Sequence, residues 1–76
     1  MLEAIGKELK IIRLRNDLKL ETVADDLRLN KETLRRYENS ANGLSVERLE
    51  ELLSYYNVDR NIFFTNVCEY MHSAND

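Results

Sequence analysis

The chain contains no proline, and Gly6 and Gly43 are the only glycines among its 76 residues. Sandwiches and barrels need many turn residues between their strands, so this shortage argues against them and favours helices. No apolar run approaches the roughly 20 residues that a membrane-spanning helix needs, and no signal-peptide pattern is present. We therefore predict an all-α protein, and we expect it to be cytoplasmic with no membrane partner.

Cysteine and histidine each occur once, as Cys68 and His72. One cysteine cannot form an internal disulfide, and two ligands four residues apart do not complete a zinc site. The lone histidine lies near the end of the chain, and there is no glycine-rich phosphate loop. We expect no metal, no cofactor, no small-molecule ligand and no enzymatic activity, and we interpret the carboxylates as solvated side chains on helix faces.

The length allows one small domain, which we assign to residues 1–72, followed by a frayed tail at residues 73–76. The net charge of −3 argues at first against a nucleic-acid partner. Residues 7–36 nevertheless carry nine basic and six acidic side chains, whereas the rest of the chain carries two basic and eight acidic ones. A domain polarised in this way can present a positive face to phosphates, although a solvated surface of mixed charge would show the same imbalance.

Apolar spacing and turn residues predict five helices. They occupy residues 2–16, 21–27 and 31–39, the stretch from Ser45 to Asn57, and the stretch that follows Asp59. Asn30, Ser45 and Asp59 are suited to begin helices, because their side-chain oxygens can accept a free backbone N–H. Asn57 tolerates the left-handed conformation that often ends a helix. Lys19 precedes the second helix and cannot accept such a bond, so that helix start is weakly specified.

Residues 18–38 are typical of two short helices around a tight turn. The apolar positions form two stripes with one residue between them: Val23, Ala24 and Leu27, then Leu29, then Leu34 and Tyr37. Helices that meet at a steep angle need a small side chain where they cross, and Ala24 supplies it. The outward face of the second helix carries side chains suited to base edges and phosphates, namely Lys31, Glu32, Thr33, Arg35 and Arg36.

A longer pattern runs without gaps from Ile5 to Phe64. Its positions include Ile5, Gly6, Leu9, Arg13, Val23, Ala24, Leu27, Leu29, Asn30, Leu34, Tyr37, Glu38, Ser45, Val46, Leu49, Leu52, Tyr56, Asn57 and Val58. In these positions the chain resembles the Cro/CI-type (XRE-family) helix-turn-helix domain of phage repressors and bacterial regulators. The resemblance implies a compact five-helix bundle of the lambda-repressor-like DNA-binding type, with helices 2 and 3 forming the helix-turn-helix.

The resemblance also implies roles for residues of the third helix. Positions that match base contacts are Lys31, Glu32, Thr33 and Arg36, and positions that match contacts to the DNA backbone are Arg35 and Asn39. Arg36 can pair with a guanine and Glu32 can accept from a cytosine amino group, so we expect G·C pairs in the half-site. The alternative is an ordinary exposed helix face. Arg13 and Glu38 match an ion pair that ties helix 1 to the end of helix 3, and the alternative is two solvated charges.

The chain departs from the family pattern at three places: Leu20, Arg28, and the loop before the fourth helix, where Leu44 and Ser40 replace a common proline and glycine. Leu20 replaces a common glutamine that touches the DNA backbone, so it removes a phosphate contact and instead enlarges the core. Arg28 replaces a common glycine in the turn. If the left-handed conformation persists there, an arginine costs of order 1 kcal/mol and gains a route to the DNA backbone.

The fifth helix carries more apolar surface than a small monomer normally leaves exposed. The residues concerned are Phe63, Phe64, Val67, Tyr70 and Met71. A two-fold homodimer would cover them and set two recognition helices about 34 Å apart, one turn of DNA. The alternative is that these side chains fold back onto helices 1 and 4.

We therefore expect a sequence-specific DNA-binding regulator of transcription, acting as a repressor by occupancy of double-stranded DNA. The alternative is a protein-interaction module, such as an antirepressor or a heterodimer partner, that retains the helix-turn-helix fold. The acidic remainder of the chain, Leu20 and the apolar fifth helix favour this alternative.

Overall fold

The computed structural model describes residues 1–74, which form five α-helices and no β-strand. The helices are α1 (Leu2–Arg15), α2 (Leu20–Asp26), α3 (Lys31–Asn39), α4 (Val46–Tyr56) and α5 (Arg60–Ala74). The predicted all-α fold of five helices is confirmed, with boundaries within a residue or two of expectation. Of the expected tail, Ser73 and Ala74 continue α5, whereas residues 75–76 lie outside the described residues.

Side-chain caps begin three of the helices at the expected positions. Asn30 Oδ1 accepts the Glu32 N–H at 2.8 Å and begins α3. Ser45 Oγ accepts the Arg48 N–H at 3.1 Å and begins α4. Asp59 Oδ1 accepts N–H groups of the first turn of α5, the nearest at 2.7 Å. Each cap satisfies a backbone donor that has no partner within its helix.

The second helix begins without such a cap, because the Lys19 side chain makes no capping hydrogen bond. Its first residue, Leu20, is half-buried and packs against the core. Packing therefore fixes this helix start where a polar cap is missing. The departure at position 20 enlarges the core, as expected from the sequence.

Within residues 1–74, three residues other than glycine adopt the left-handed conformation: Asp17, Arg28 and Asn57, with φ near 55°. Asn57 ends α4 in this way, as predicted, and Asn tolerates it because its short polar side chain bonds locally. Arg28 lacks a short polar side chain of this kind, and its φ of 56° places a long side chain in a conformation that suits glycine. The turn between α2 and α3 therefore stores strain at Arg28.

The core draws buried side chains from all five helices and from the loop before α4. Its members are Ile5, Leu9, Ile12, Val23, Ala24, Leu34, Ala41, Leu52, Leu53, Tyr56, Phe63 and Val67. Leu27, Leu29 and Tyr37 pack partly buried against it, so both predicted stripes of the two-helix unit face inward. Leu14 is exposed because it lies off the face of α1 that carries Ile5, Leu9 and Ile12, whereas Leu2 shares that face but is exposed at the first residue of the helix.

Gly6 allows α1 and α3 to come into direct backbone contact. A Cβ atom at this position would lie 2.6 Å from the carbonyl oxygen of Tyr37 and 2.7 Å from that of Glu38. Backbone oxygens within a helix cannot swing aside as a flexible side chain does. Any larger residue at position 6 would therefore push α3, and the face it exposes, away from α1.

Glu8 joins α1 to α5 from inside the protein. This carboxylate is only 1% exposed and accepts hydrogen bonds from Asn66 Nδ2 and from the Tyr70 hydroxyl, both at 2.9 Å. Burial and the bond to Glu8 raise the pKa of the Tyr70 phenol above its ordinary value. The expectation that every carboxylate is solvated is wrong for Glu8, because these two donors replace the water it gives up.

The prediction of a dimer surface on α5 is wrong for Phe63 and Val67. Both are 0% exposed within a single chain, so no partner can reach them. They pack back into the core, which is the alternative that the sequence left open. Phe64, Tyr70 and Met71 are half-buried, and the Tyr70 hydroxyl is already bonded to Glu8.

None of the helices described in residues 1–74 is long and apolar enough to cross a membrane.

Candidate nucleic-acid interface

One face of α3 lies against the core and the opposite face is open to solvent. Leu34 and Glu38 are buried on the inner side. Glu32, Arg36 and Asn39 are exposed, and their spacing of four and three places them along the middle of the outward face. Lys31 and Arg35 are also exposed and flank this line on one side, whereas Thr33 is half-buried at its other edge. The structure thus brings the sequence-predicted residues of α3 onto one surface.

This surface carries three basic side chains and one acidic one. Arg35 Nη1 lies 3.2 Å from Glu32 Oε1, and both side chains remain more than half exposed. Lys31 and Arg36 make no ion pair with any described residue. The surface therefore presents two unpaired positive charges beside one exposed intrahelical pair.

The turn that joins α2 to α3 holds the outward face in place. Val23 and Ala24 are buried beneath it, and the Leu29 N–H donates to the Ala24 carbonyl at 2.8 Å. Ala24 thus occupies the crossing point expected for a small side chain. Arg28 is exposed in this turn, next to the N-terminal end of α3.

A buried ion pair holds the C-terminal end of α3. Arg13 Nε lies 2.8 Å from Glu38 Oε2, and Arg13 Nη2 donates to Glu38 Oε1 at 3.1 Å. The third guanidinium nitrogen, Nη1, donates to the carbonyl of Leu18 at 2.8 Å. The hydrogen bond to Glu38 raises the pKa of Arg13 further. One side chain of α1 therefore fixes both the end of α3 and the connection into α2.

A cleft of about 420 Å³ lies between the last two turns of α3 and the loop that follows. It is lined by Thr33, Arg36, Tyr37, Asn39, Ser40, Asn42 and Gly43. Thr33, Arg36 and Asn39 were predicted as site residues, whereas the loop residues were not. The only sequence signal for them was the run of turn formers from residue 39 to residue 43.

The outer side of α5 forms a second, shallower groove of about 560 Å³. It is lined by Asn61, Phe64, Thr65, Cys68, Glu69 and His72. Cys68 and His72 share this face, as their spacing of four predicts, and both are exposed. Among the described residues, no group of three or more His, Cys, Asp or Glu side chains is placed to hold a metal ion.

Comparison with known protein families agrees with this geometry. A family model described as "Helix-turn-helix domain" matches residues 4–61, which span α1 to α4 and the start of α5. No curated protein and no solved structure matches the sequence. The family match covers well over half of the chain and includes the buried ion pair, the turn and the outward face of α3. The chain therefore belongs to the helix-turn-helix domain family.

Proposed function

We propose that the protein is a sequence-specific DNA-binding regulator that places α3 in the major groove of double-stranded DNA. The observation that carries this proposal is the outward face of α3. It is polar, basic overall and exposed, and it is held rigidly on its inner side by Leu34 and the Arg13–Glu38 pair. A helix of this kind fits the width of the major groove. Such a protein acts by occupancy and represses a promoter that it covers.

Base recognition falls to the middle of that face. Arg36 has the two parallel donors that match the O6 and N7 acceptors of guanine, and Glu32 accepts from the amino group of cytosine. Lys31 and Thr33 flank them and add donors. A well-placed pair of this type discriminates between bases by roughly 1–3 kcal/mol, so we expect G·C pairs in the half-site.

Contacts to the DNA backbone fall to the edges of the face. Arg28 projects from the turn before α3, Arg35 lies on one flank, and Asn39 lies at the C-terminal end. The cleft beside Asn39 adds the Ser40 hydroxyl and the Asn42 amide, which are donors of the kind that bind phosphate oxygens. These residues fix the register of α3 and carry no sequence information themselves.

A homodimer would align two copies of α3 with successive turns of the duplex. With Phe63 and Val67 in the core, the apolar strip that remains on α5 consists of Phe64, Cys68 and Met71, at spacings of four and three. Each is at least partly exposed, and Phe64 and Cys68 line the same outer groove. We place the two-fold contact on this strip, with Tyr70 at its margin.

Selection from random duplexes at two salt concentrations tests the proposal. We expect enrichment of two G·C-containing half-sites about one helical turn apart, with binding that weakens steeply as salt rises. Arg36→Gln should relax the preference at one guanine. Arg60→Gln removes another exposed arginine, at the start of α5, and should behave as the wild type. Absence of any enriched sequence, or an enriched set with only A·T pairs, contradicts the proposed recognition.

A groove outside the face of α3 favours a second candidate function. It lies between Leu27 at the end of α2 and the exposed face of α4, and it is lined by Glu47, Glu50, Glu51, Ser54 and Tyr55. An acidic groove of this kind suits a protein partner better than a phosphate backbone. A protein-interaction module would bind its partner with only a shallow dependence on salt, whereas phosphate binding depends on salt steeply.

A further inference from the structure

Glu32 is the only exposed acidic side chain of α3, and it stands in the middle of the face proposed to meet DNA. A carboxylate there repels phosphates. It also approaches Arg35, one turn further along: Arg35 Nη1 lies 3.2 Å from one carboxylate oxygen and 3.5 Å from the other. In the free protein, one nitrogen of the guanidinium proposed to hold a phosphate therefore already contacts a neighbouring carboxylate.

The pair contributes little to the fold. Both side chains are more than half exposed, at 66% for Glu32 and 51% for Arg35, and exposed pairs of this spacing are weak and easily exchanged. An equivalent pair, Arg48 with Glu51 at 3.0 Å, lies on α4, away from the outward face of α3. Any effect of the Glu32–Arg35 pair on DNA binding therefore comes from its position on α3 and not from a contribution to stability.

We propose that Glu32 determines specificity by restraining Arg35, an inference that rests on the proposed DNA binding. On a duplex with no amino group opposite Glu32, the carboxylate stays paired with Arg35, and Arg35 does not contact a phosphate. A cytosine amino group placed opposite Glu32 donates to the carboxylate in place of the guanidinium. Arg35 is then released to the DNA backbone, so that base identity at one position controls one phosphate contact.

Salt dependence is the measurement that reports this exchange, because each phosphate contact adds about 0.9 to the slope of log K against log salt concentration. On a random-sequence duplex, Glu32→Gln should raise the affinity several-fold and steepen the slope by about 0.9, since Arg35 is free. Arg35→Gln alone should change that slope little. On the selected site, Arg35→Gln should make the wild-type slope shallower by about 0.9.

The double variant Glu32→Gln/Arg35→Gln separates restraint of Arg35 from simple repulsion by Glu32. If the restraint is correct, the gain made by Glu32→Gln disappears in the double variant, and the two residues are coupled in a double-mutant cycle. If the gain persists without Arg35, Glu32 acts through its own charge and the inference is wrong. Glu51→Gln removes the matched carboxylate on α4 and should leave affinity and slope unchanged.

The outcomes also separate this inference from the proposed function. A wild-type protein that binds no duplex at low salt overturns both. A wild-type protein that binds duplexes, with Glu32→Gln indistinguishable from it in affinity and slope, overturns only the role of Glu32.

Discussion

Arg13 in α1 and Glu38 in α3 form a bidentate ion pair whose side chains are only 10% and 5% exposed. The pair spans 25 residues of sequence and ties the first helix to the last turn of the helix proposed to read DNA. A pair this deeply buried loses most of its hydration, so each partner depends on the other for compensation.

Replacing one partner should therefore destabilise the protein strongly. We expect Glu38→Gln to lower the free energy of unfolding by about 3–5 kcal/mol, because it leaves the Arg13 guanidinium buried without a counter-charge. The apolar double variant Arg13→Met/Glu38→Leu should be far less destabilised, since neither charge remains. Urea unfolding measures both, and Glu51→Gln in the exposed α4 pair is the control, with a change within about 1 kcal/mol. A loss below 1 kcal/mol in Glu38→Gln would show that the pair is solvated.

The glycine at position 6 is expected to be irreplaceable by alanine. Alanine favours a helix by about 1 kcal/mol over glycine, but its Cβ would lie 2.6 Å from a backbone oxygen of α3. Overpacking against atoms that cannot move costs about 1–3 kcal/mol or more, so the steric effect prevails. We expect Gly6→Ala to lower the thermal midpoint clearly.

Gly43 provides the comparison, because a Cβ there meets nothing within 4 Å and only its φ of +84° disfavours alanine. Gly43→Ala should therefore cost about 1 kcal/mol, the penalty of a left-handed residue. A Gly6→Ala variant as stable as the wild type would mean that α1 and α3 are further apart than in the structure.

The Tyr56 hydroxyl is buried beside the ion pair and has no hydrogen-bond partner among the described residues. An unpaired buried hydroxyl costs about 1–3 kcal/mol, so Tyr56→Phe should leave stability unchanged or raise it by about 1 kcal/mol. Tyr55→Phe, which removes a hydroxyl bonded to Asp26, should lower stability slightly. A clear loss in Tyr56→Phe would show that its hydroxyl is bonded in solution.

The free energy of unfolding at alkaline pH tests the burial of Tyr56 independently. Burial raises the pKa of Tyr56 above the ordinary tyrosine value of about 10. The folded state then holds this proton more tightly than the unfolded state, so its contribution is complete below about pH 10 and is lost as the pH rises further. We expect the free energy of unfolding to fall above about pH 10 in the wild type, and to fall less in Tyr56→Phe.

Much of the fold could be predicted because its signals are local. The helix caps at Asn30, Ser45 and Asp59 need only a side-chain oxygen two or three residues before a free N–H. The inward faces of α2 and α3 follow from apolar spacing within a few residues. Once the apolar positions of α3 are assigned to the core, the remaining polar positions define its outward face. The same periodicity therefore predicts the candidate site.

The errors concern contacts between distant parts of the chain. Apolar residues surround much of α5, so their spacing does not reveal that Phe63 and Val67 face inward whereas Ile62 is exposed. The burial of Glu8 depends on two donors, Asn66 and Tyr70, that lie 58 and 62 residues away in sequence. The cleft beside α3 was missed for a different reason: its lining lies within residues 33–43, but the cleft exists only because the loop after α3 returns to that helix.

The strained turn at Arg28 should separate stability from DNA binding. Arg28→Gly relieves a left-handed residue and should raise the free energy of unfolding by about 0.5–1 kcal/mol. It also removes a proposed phosphate contact, so the salt slope of DNA binding should become shallower by about 0.9. Arg28→Ala keeps the strain and loses the charge. It should match the glycine variant in DNA binding and the wild type in stability, as thermal unfolding and salt titration would show.

The apolar strip of α5 makes the dimer testable at single residues. Phe64→Glu should convert a particle of twice the 9.0 kDa chain mass into a monomer in sedimentation at micromolar concentration, because it buries a charge in the contact. Ile62→Glu is the matched control, since Ile62 is 60% exposed but lies off the strip.

Cys68 lies between Phe64 and Met71 on the strip, so a short thiol cross-linker should join two wild-type chains. A wild-type protein that sediments as a monomer with and without DNA contradicts the dimer. Cross-linking that survives Phe64→Glu unchanged would place the contact elsewhere, since the strip cannot pair across two buried carboxylates.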